Sequence, residues 1–164
     1  MKQFDKAEAE RLVYTYSDLI LRLSYTYLKS THDAEDICQT VFLKLLTSGQ
    51  TFDSPAHEKA WIIRTTANAC KDALRSTFRR RTVALEAAAA TAAPEAPDSA
   101  VLEAVMALPE NYREAVYLHY FEGYSVREIA GLLGRSEAAV TAHLSRGRHK
   151  LRITLGGEYY EQSV

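Results

Sequence analysis

The fold is decided by residues 125–151, which read SVREIAGLLGRSEAAVTAHLSRGRHKL. Ser125 and Glu128 have the spacing of a capping box, which predicts the start of a short helix. Gly134 follows where a tight turn needs a left-handed backbone. Val140 comes six residues later, at the expected buried face of a second helix. A cap, a glycine turn and a branched apolar residue at these spacings predict a helix-turn-helix.

In the first helix of this motif we expect Ile129 and Leu133 to face inward, and Ala130 to be small where the two helices cross. The second helix is expected from about Ser136 to Arg152. Its expected exposed positions are Thr141, His143, Arg146, Arg148 and Lys150. A helix with such side chains fits the major groove, where cations meet phosphates and base edges. The motif therefore predicts binding to duplex DNA.

Upstream of this motif, apolar residues also recur at helical spacing, and strand signals are almost absent. Long helices are expected over Ala7–Leu28, from Asp33 onward, and over Ala56–Arg79. Between Ala84 and Pro97, eight of fourteen residues are alanine, and this composition is typical of a linker. The chain is thus predicted to be all-α, with two small helical domains joined by a flexible linker and a helix-turn-helix in the second.

Positive charge is concentrated in two short blocks of a chain whose net charge is -1. Residues 61–81 carry six basic residues and one acidic residue, and residues 135–152 carry five and one. Two separate basic blocks suggest two contacts with a polyanion.

The two cysteines, Cys38 and Cys70, are too few for a disulfide scaffold and fall in apolar-periodic segments. No Cys/His cluster has zinc spacing, so we expect neither a metal nor another cofactor. Residues 1–10 lack the apolar core of a signal peptide, and no apolar run is long enough to span a membrane. We expect a chain without membrane insertion in a reducing cytoplasm.

Three further stretches resemble one protein family in the order in which the family has them. Residues 33–42 read DAEDICQTVF, residues 61–72 read WIIRTTANACKD, and residues 108–130 begin LPENYREA and end GYSVREIA. Together with the helix-turn-helix they resemble the bacterial RNA polymerase sigma factors of the extracytoplasmic-function (ECF) group.

This resemblance implies region 2 over residues 1–81, a linker over 82–98 and region 4 over 99–164. Region 2 would bind core polymerase and read and open the -10 promoter element, and region 4 would read the -35 element as duplex. The resemblance thus implies an alternative sigma factor that starts transcription of a specific regulon. Such a protein would be an initiation subunit of RNA polymerase and not an enzyme in itself.

The implied partners are core RNA polymerase and promoter DNA. The implied contact sites on the polymerase are the clamp helices of the largest subunit and the flap of the second-largest subunit. The family often adds an anti-sigma protein. An acidic helix start such as residues 33–36 would repel phosphate, so its face should meet protein. The candidate polymerase contacts are Asp36, Gln39, Thr40, Leu43 and Lys44.

For the -10 strand, the loop Gly49–His57 is expected to hold a flipped base, beside Asn68 on the basic helix. For Trp61 we favour a core anchor over stacking on DNA. The candidate DNA contacts of this half are Arg64, Asn68, Lys71, Asp72, Arg75, Arg79 and Arg80. Arg81 continues the same basic helix end.

The recognition helix departs from the family pattern. After the buried valine the family usually has Lys or Arg, then Ser, then Arg, whereas this chain has Thr141, Ala142 and His143. Two charges are therefore missing from the base-reading stretch, which implies weaker attraction to phosphate.

Two other functions fit the sequence less well. The first is a helix-turn-helix regulator with an N-terminal sensing domain, which would bind duplex DNA without polymerase. The second is an enzyme such as a hydrolase using His57 or His119, although no nucleophile–base pattern or phosphate-cradling glycine loop accompanies either histidine.

Overall fold

The computed structural model describes residues 4–84 and 99–156, and within them it leaves the side chains of residues 77–84 and 99 aside. The described residues contain α-helices and one π-helical turn, without strands. The chain divides into two compact units, residues 1–93 and 94–164. The prediction of an all-α chain with two small helical domains is confirmed. The expected linker falls mostly on residues 85–98, outside the described residues.

Within its described residues, 4–84, the first unit contains three helices, α1 over Lys6–Leu28, α2 over Thr31–Thr47 and α3 over Pro55–Ala84. Each helix buries one apolar stripe, because apolar residues recur every three or four positions and so share a face. The stripe of α1 is buried. The core of this unit includes Leu12, Leu19, Ile20, Leu23, Tyr27, Ile37, Val41, Leu45, Ile62, Ile63 and Cys70.

Two boundaries in this unit differ from the sequence prediction. Helix α2 begins at Thr31 and not at Asp33, since the Ser30 side chain caps the helix by accepting a hydrogen bond from the Asp33 backbone N–H. Helix α3 continues to Ala84 and so enters the segment that we expected to be linker. Alanine-rich sequence has no steric reason to end a helix.

The second unit begins with α4 over Ser99–Met106 and α5 over Glu110–Val116. Helix α5 runs into a π-helical turn over Tyr117–Phe121, where the Glu122 N–H reaches the Tyr117 carbonyl. The rings of Tyr117 and Phe121 stack with centroids 5.6 Å apart.

The helix-turn-helix forms as the sequence predicts, with α6 over Val126–Leu133 and α7 over Glu137–Leu155. Both hydrogen bonds of the Ser125–Glu128 capping box are present, and Gly134 adopts a left-handed conformation with φ of 65°. Ile129 and Val140 are fully buried. The prediction for Leu133 is wrong, because Leu132 is the buried leucine and Leu133 is only partly covered.

Helix α7 approaches α5 closely at Gly147. A Cβ atom at this position would lie 3.0 Å from Cγ2 of Val116. Val140, Leu144 and Gly147 are buried along one side of α7. The spacing of these three residues is that of a single helical face, so we call them the buried spine of α7. The opposite side of the helix is left to solvent.

Candidate nucleic-acid and polymerase interfaces

The basic face of α3 consists of polar residues spaced three or four apart. Arg64, Asn68 and Arg75 are exposed along it. Arg75 is hydrogen-bonded to the carboxylate of exposed Asp72, so part of its charge is balanced within the helix. Lys71 is partly covered, with its ammonium 5.9 Å from the centroid of the Tyr27 ring. Arg79, Arg80 and Arg81 lie on helical backbone, and their side chains are outside the described residues.

An open pocket of about 400 Å³ lies beside this face. One wall belongs to α3 and the other to the end of α2 and the residue after it. Its lining is Lys44, Thr47, Ser48, Trp61, Thr65 and Asn68. Trp61, which we expected to be a core anchor, is half-buried in the pocket wall. An indole wall with hydroxyl, amide and ammonium groups around it can take a planar polar ring.

The loop that connects α2 to α3 runs over residues 48–54, so it is shorter than the predicted loop Gly49–His57. Ser54 accepts a hydrogen bond from the His57 backbone N–H, and Pro55 is the first helical residue, which together start α3. Gly49 has φ of 68°, a conformation that glycine adopts without strain. His57 therefore belongs to the first turn of α3.

The exposed face of α2 carries a mixture of acids, amides and apolar groups. The five candidate polymerase contacts, namely Asp36, Gln39, Thr40, Leu43 and Lys44, are all exposed. Leu43 has 64 % of its surface accessible, and neighbouring Leu46 has 40 %. Leu43 and Leu46 are three positions apart, so they expose apolar area on neighbouring parts of one helix face.

Both cysteines lie in this unit. Cys70 is fully buried. Cys38 is only half-buried on α2, and burial raises the pKa of its thiol.

On α7 the candidate DNA contacts are exposed, with one exception. Thr141, Arg146 and Lys150 are exposed, and so is Arg148, which donates a hydrogen bond to the Tyr120 hydroxyl at 3.1 Å. At 3.6 residues per turn, Thr141 and Arg146 are separated by about 140° around the axis. They can therefore address opposite sides of a groove.

The exception is His143, which is partly buried. Its ring lies 5.7 Å from that of Tyr112 on α5. Partial burial, together with the nearby Arg135 guanidinium, lowers the pKa of His143. The imidazole is therefore less readily protonated than a free histidine, at a position where the family pattern usually has a permanent cation.

One group of residues near the helix-turn-helix was not identified from the sequence. Arg135, in the turn between α6 and α7, donates to the Asn111 side-chain oxygen at 2.9 Å and lies 3.1 Å from the Glu114 carboxylate. Glu114 is 1 % exposed. These residues are more than twenty positions apart, so no local spacing could have indicated the pair. The only available signal was a basic residue inside the motif's turn.

No helix among the described residues is long and apolar enough to cross a membrane.

Comparison with known proteins gives one consistent result. The family model for sigma-70 region 2 matches residues 12–81, and the model for sigma-70 region 4 matches residues 98–151. The ECF sigma factor SigE of Mycolicibacterium smegmatis is 32 % identical over 87 % of this chain and 60 % of its own length. The sigma factor CarQ of Myxococcus xanthus is 35 % identical over 75 % of each chain. This chain thus spans about three fifths of the length of SigE and three quarters of that of CarQ.

Among solved structures, the sigma factor RpoE of Bartonella quintana, crystallised with the anti-sigma factor NepR, has the same fold. The TM-score is 0.71 at 21 % identity, over 89 % of this chain and 95 % of that one. Both halves of the chain match their own family model in the expected order, and a relative of similar length is 35 % identical over three quarters of the chain. The chain therefore belongs to the ECF group of RNA polymerase sigma factors.

Proposed function

We propose that this chain is an alternative sigma factor that joins core RNA polymerase, reads the -35 and -10 elements, and starts transcription of a specific regulon. The observation that carries the proposal is the presence, in one chain, of a helix-turn-helix and of a separate open pocket beside a basic helix. A protein that only binds duplex DNA needs the first feature but not the second. Sigma factors are initiation subunits and not catalysts, and we propose no catalytic residues for this one.

We assign region 2 to residues 1–81, the linker to 82–98 and region 4 to 99–164. In region 2 the pocket beside Asn68 takes a flipped base of the -10 strand, because Trp61 offers a ring face and Asn68 offers both a donor and an acceptor. The strand backbone follows the cations of α3. The proposed contacts are Arg64, Asn68, Lys71, Asp72, Arg75, Arg79 and Arg80.

The exposed face of α2 docks on the clamp helices of the largest polymerase subunit. Leu43 supplies exposed apolar area, and Asp36 supplies a charge that suits a protein partner better than a phosphate backbone. Lys44 lies on this face and also in the pocket lining. Polymerase binding and base capture are therefore adjacent on one helix.

In region 4, α7 enters the major groove of the -35 duplex, and the flap of the second-largest subunit binds the same domain. Thr141, His143 and Arg146 are proposed as the base-reading side of this contact, with Arg148 and Lys150 on phosphates. The polymerase sets the location, which we propose to be the cytoplasm. Because RpoE was crystallised with an anti-sigma factor, we extend a partner of that kind to this chain.

The test distinguishes the proposed base-reading surface of region 2 from its proposed polymerase-binding surface. Asn68→Ala should weaken base selection at the -10 element and leave co-purification with core polymerase unchanged. Asp36→Arg should do the reverse. A matched control is Asp18→Arg, the same charge reversal at an exposed position of α1. The measurements are co-purification with core polymerase, run-off transcription and permanganate footprinting of open promoter.

Two results would contradict the proposal. If the wild-type chain bound duplex DNA but never core polymerase, it would be a helix-turn-helix regulator. Loss of polymerase binding in Asn68→Ala at unchanged stability would show that the two faces are assigned wrongly.

A further inference from the structure

The end of the loop that precedes α3 is held by the side chain of His57. The Asp53 backbone N–H donates to Nδ1 of His57 at 3.1 Å. Since Nδ1 accepts this bond it carries no proton, so the ring proton of the neutral imidazole is on Nε2. The Asp53 carboxylate lies 3.9 Å from the same nitrogen. The imidazole thus fixes the loop backbone two residues before the helix begins.

The same ring also holds the loop's one aromatic side chain. Phe52 meets His57 edge-on with centroids 5.3 Å apart, and it meets Trp61 in a similar way at 5.8 Å. Trp61 forms a wall of the pocket beside Asn68. His57 is therefore connected to the pocket through Phe52 and Trp61, although it does not line the pocket itself.

The other end of the loop is held by a weaker device. The Gln50 N–H donates to the Ser48 hydroxyl at 3.2 Å, and Ser48 lines the pocket. No residue between these two ends is fully buried, since Thr51 is exposed and Gly49, Gln50 and Phe52 are only partly buried. A segment with so little buried apolar area depends on individual hydrogen bonds for its conformation.

We propose that His57 is a positioning residue for base capture: it holds the loop over residues 49–54, and through Phe52 and Trp61 it keeps the pocket in the shape that receives a flipped base. The proposal rests on the proposed function of the pocket. It differs from a role in starting α3, because the capping bond to Ser54 uses the His57 backbone N–H and not the ring.

Three variants separate the hydrogen-bond acceptor of the His57 ring from its aromatic edge. His57→Phe keeps an aromatic edge against Phe52 but has no acceptor. His57→Asn keeps an acceptor near the position of Nδ1 but has no ring. His57→Ala has neither. The matched control is His32→Ala, because His32 is also exposed in the first turn of a helix and lies 3.9 Å from a carboxylate, that of Asp36.

The first measurements use the free full-length chain. Amide hydrogen exchange at Asp53 should be about fivefold faster in His57→Phe and His57→Ala than in wild type, and near wild type in His57→Asn. Trp61 is the only tryptophan of the chain. Its quenching by acrylamide should rise most in His57→Ala, and the His32→Ala control should change neither signal.

The second measurement uses holoenzyme on the promoter mapped from wild-type transcripts, with each -10 position substituted in turn. His57→Ala should reduce selection several-fold at the same position at which Asn68→Ala reduces it, and His57→Asn should restore part of it. Unchanged Asp53 exchange, or changed exchange with unchanged base selection, would overturn the positioning role.

Failure of the proposed function gives a different pattern. The wild-type chain would then produce no polymerase-dependent transcript, whatever the exchange at Asp53 shows. A wild-type chain that transcribes normally, with His57→Ala indistinguishable from it in every measurement, would remove the inference and leave the proposed function in place.

Discussion

The two proposed DNA-contacting regions of the molecule are built in opposite ways. In the second unit the contact surface is one side of α7, whose other side is anchored by the buried spine. In the first unit it is an open pocket between two helices, beside a loop that is held by few hydrogen bonds. A rigid helix suits a duplex of constant shape, whereas a base that must leave its stack needs a concave site. We therefore expect the unit that we propose to read intact DNA to be the more rigid of the two.

The strongest way to test this contrast is to remove the cation from the turn of the helix-turn-helix. Arg135→Met leaves the buried Glu114 carboxylate without the guanidinium 3.1 Å away, and breaking such a pair costs about 3 kcal/mol of unfolding free energy. Urea unfolding followed by circular dichroism measures the loss, while Trp61 fluorescence reports the first unit alone. Arg127→Met, at an exposed position of α6, is the control. Equal losses in both variants would show that the pair does not hold the turn.

A second test concerns the close approach at Gly147. Gly147→Leu places a side chain against Val116 and should destabilise the second unit by about 2 kcal/mol. Gly131 on α6 has open space around its Cβ position, so Gly131→Leu should be neutral or slightly stabilising. Thermal unfolding of the two variants makes the comparison. If both tolerated leucine equally, α7 would not be held rigidly on α5.

The third test concerns which side chains of α7 read bases. If Arg146 reads a guanine, Arg146→Ala should cost about 1–3 kcal/mol at one base pair and relax selection there. Lys150→Ala should instead weaken binding to all sequences and lower the salt slope by about 0.9. Binding of the holoenzyme to promoter duplexes across a salt series distinguishes the two. Should Arg146→Ala weaken every duplex equally, specificity belongs to Thr141 and His143.

The smallest expected effect is the pH dependence of His143. Its ring faces Tyr112, and the charges around it are those of Arg135, Glu114 and Arg146. Because its pKa is lowered in the folded chain, the unfolded chain binds more protons near pH 6. The folded state therefore loses stability as the pH falls through about 6.5, the ordinary pKa of histidine, and this loss fades as the pH rises above that value.

His143→Gln, which does not titrate, should remove this part of the pH dependence. Unfolding free energies at several pH values between 5 and 8 measure it. A wild-type chain that became relatively more stable toward pH 5 would contradict the sign.

The helix-turn-helix was predictable because its signals are local. Ser125, Glu128, Gly134 and Val140 lie within sixteen positions, and each acts through its own backbone or its own helix. The pocket was only half predictable. The basic helix and the loop could be predicted from the sequence. That Ser48 and Trp61 line one pocket could not, because it depends on how α2 and α3 pack.

The Glu114–Arg135 pair was not predictable for the same reason. Its two members lie on different elements, and a lone charge in a sequence does not say what it will face. Placing the first residue of α2 also failed, because serine, threonine and aspartate are all good caps and several of them occur together at residues 30–33.

The buried spine of α7 has an evolutionary consequence. Val140, Leu144 and Gly147 secure the helix, whereas Thr141 and Arg146 face outward and contribute little to folding. If the outward positions read bases as we propose, substitutions there can change which promoter is chosen while the domain remains intact. A duplicated copy of this chain could thus acquire a new set of target genes by a few surface changes, without passing through an unstable intermediate.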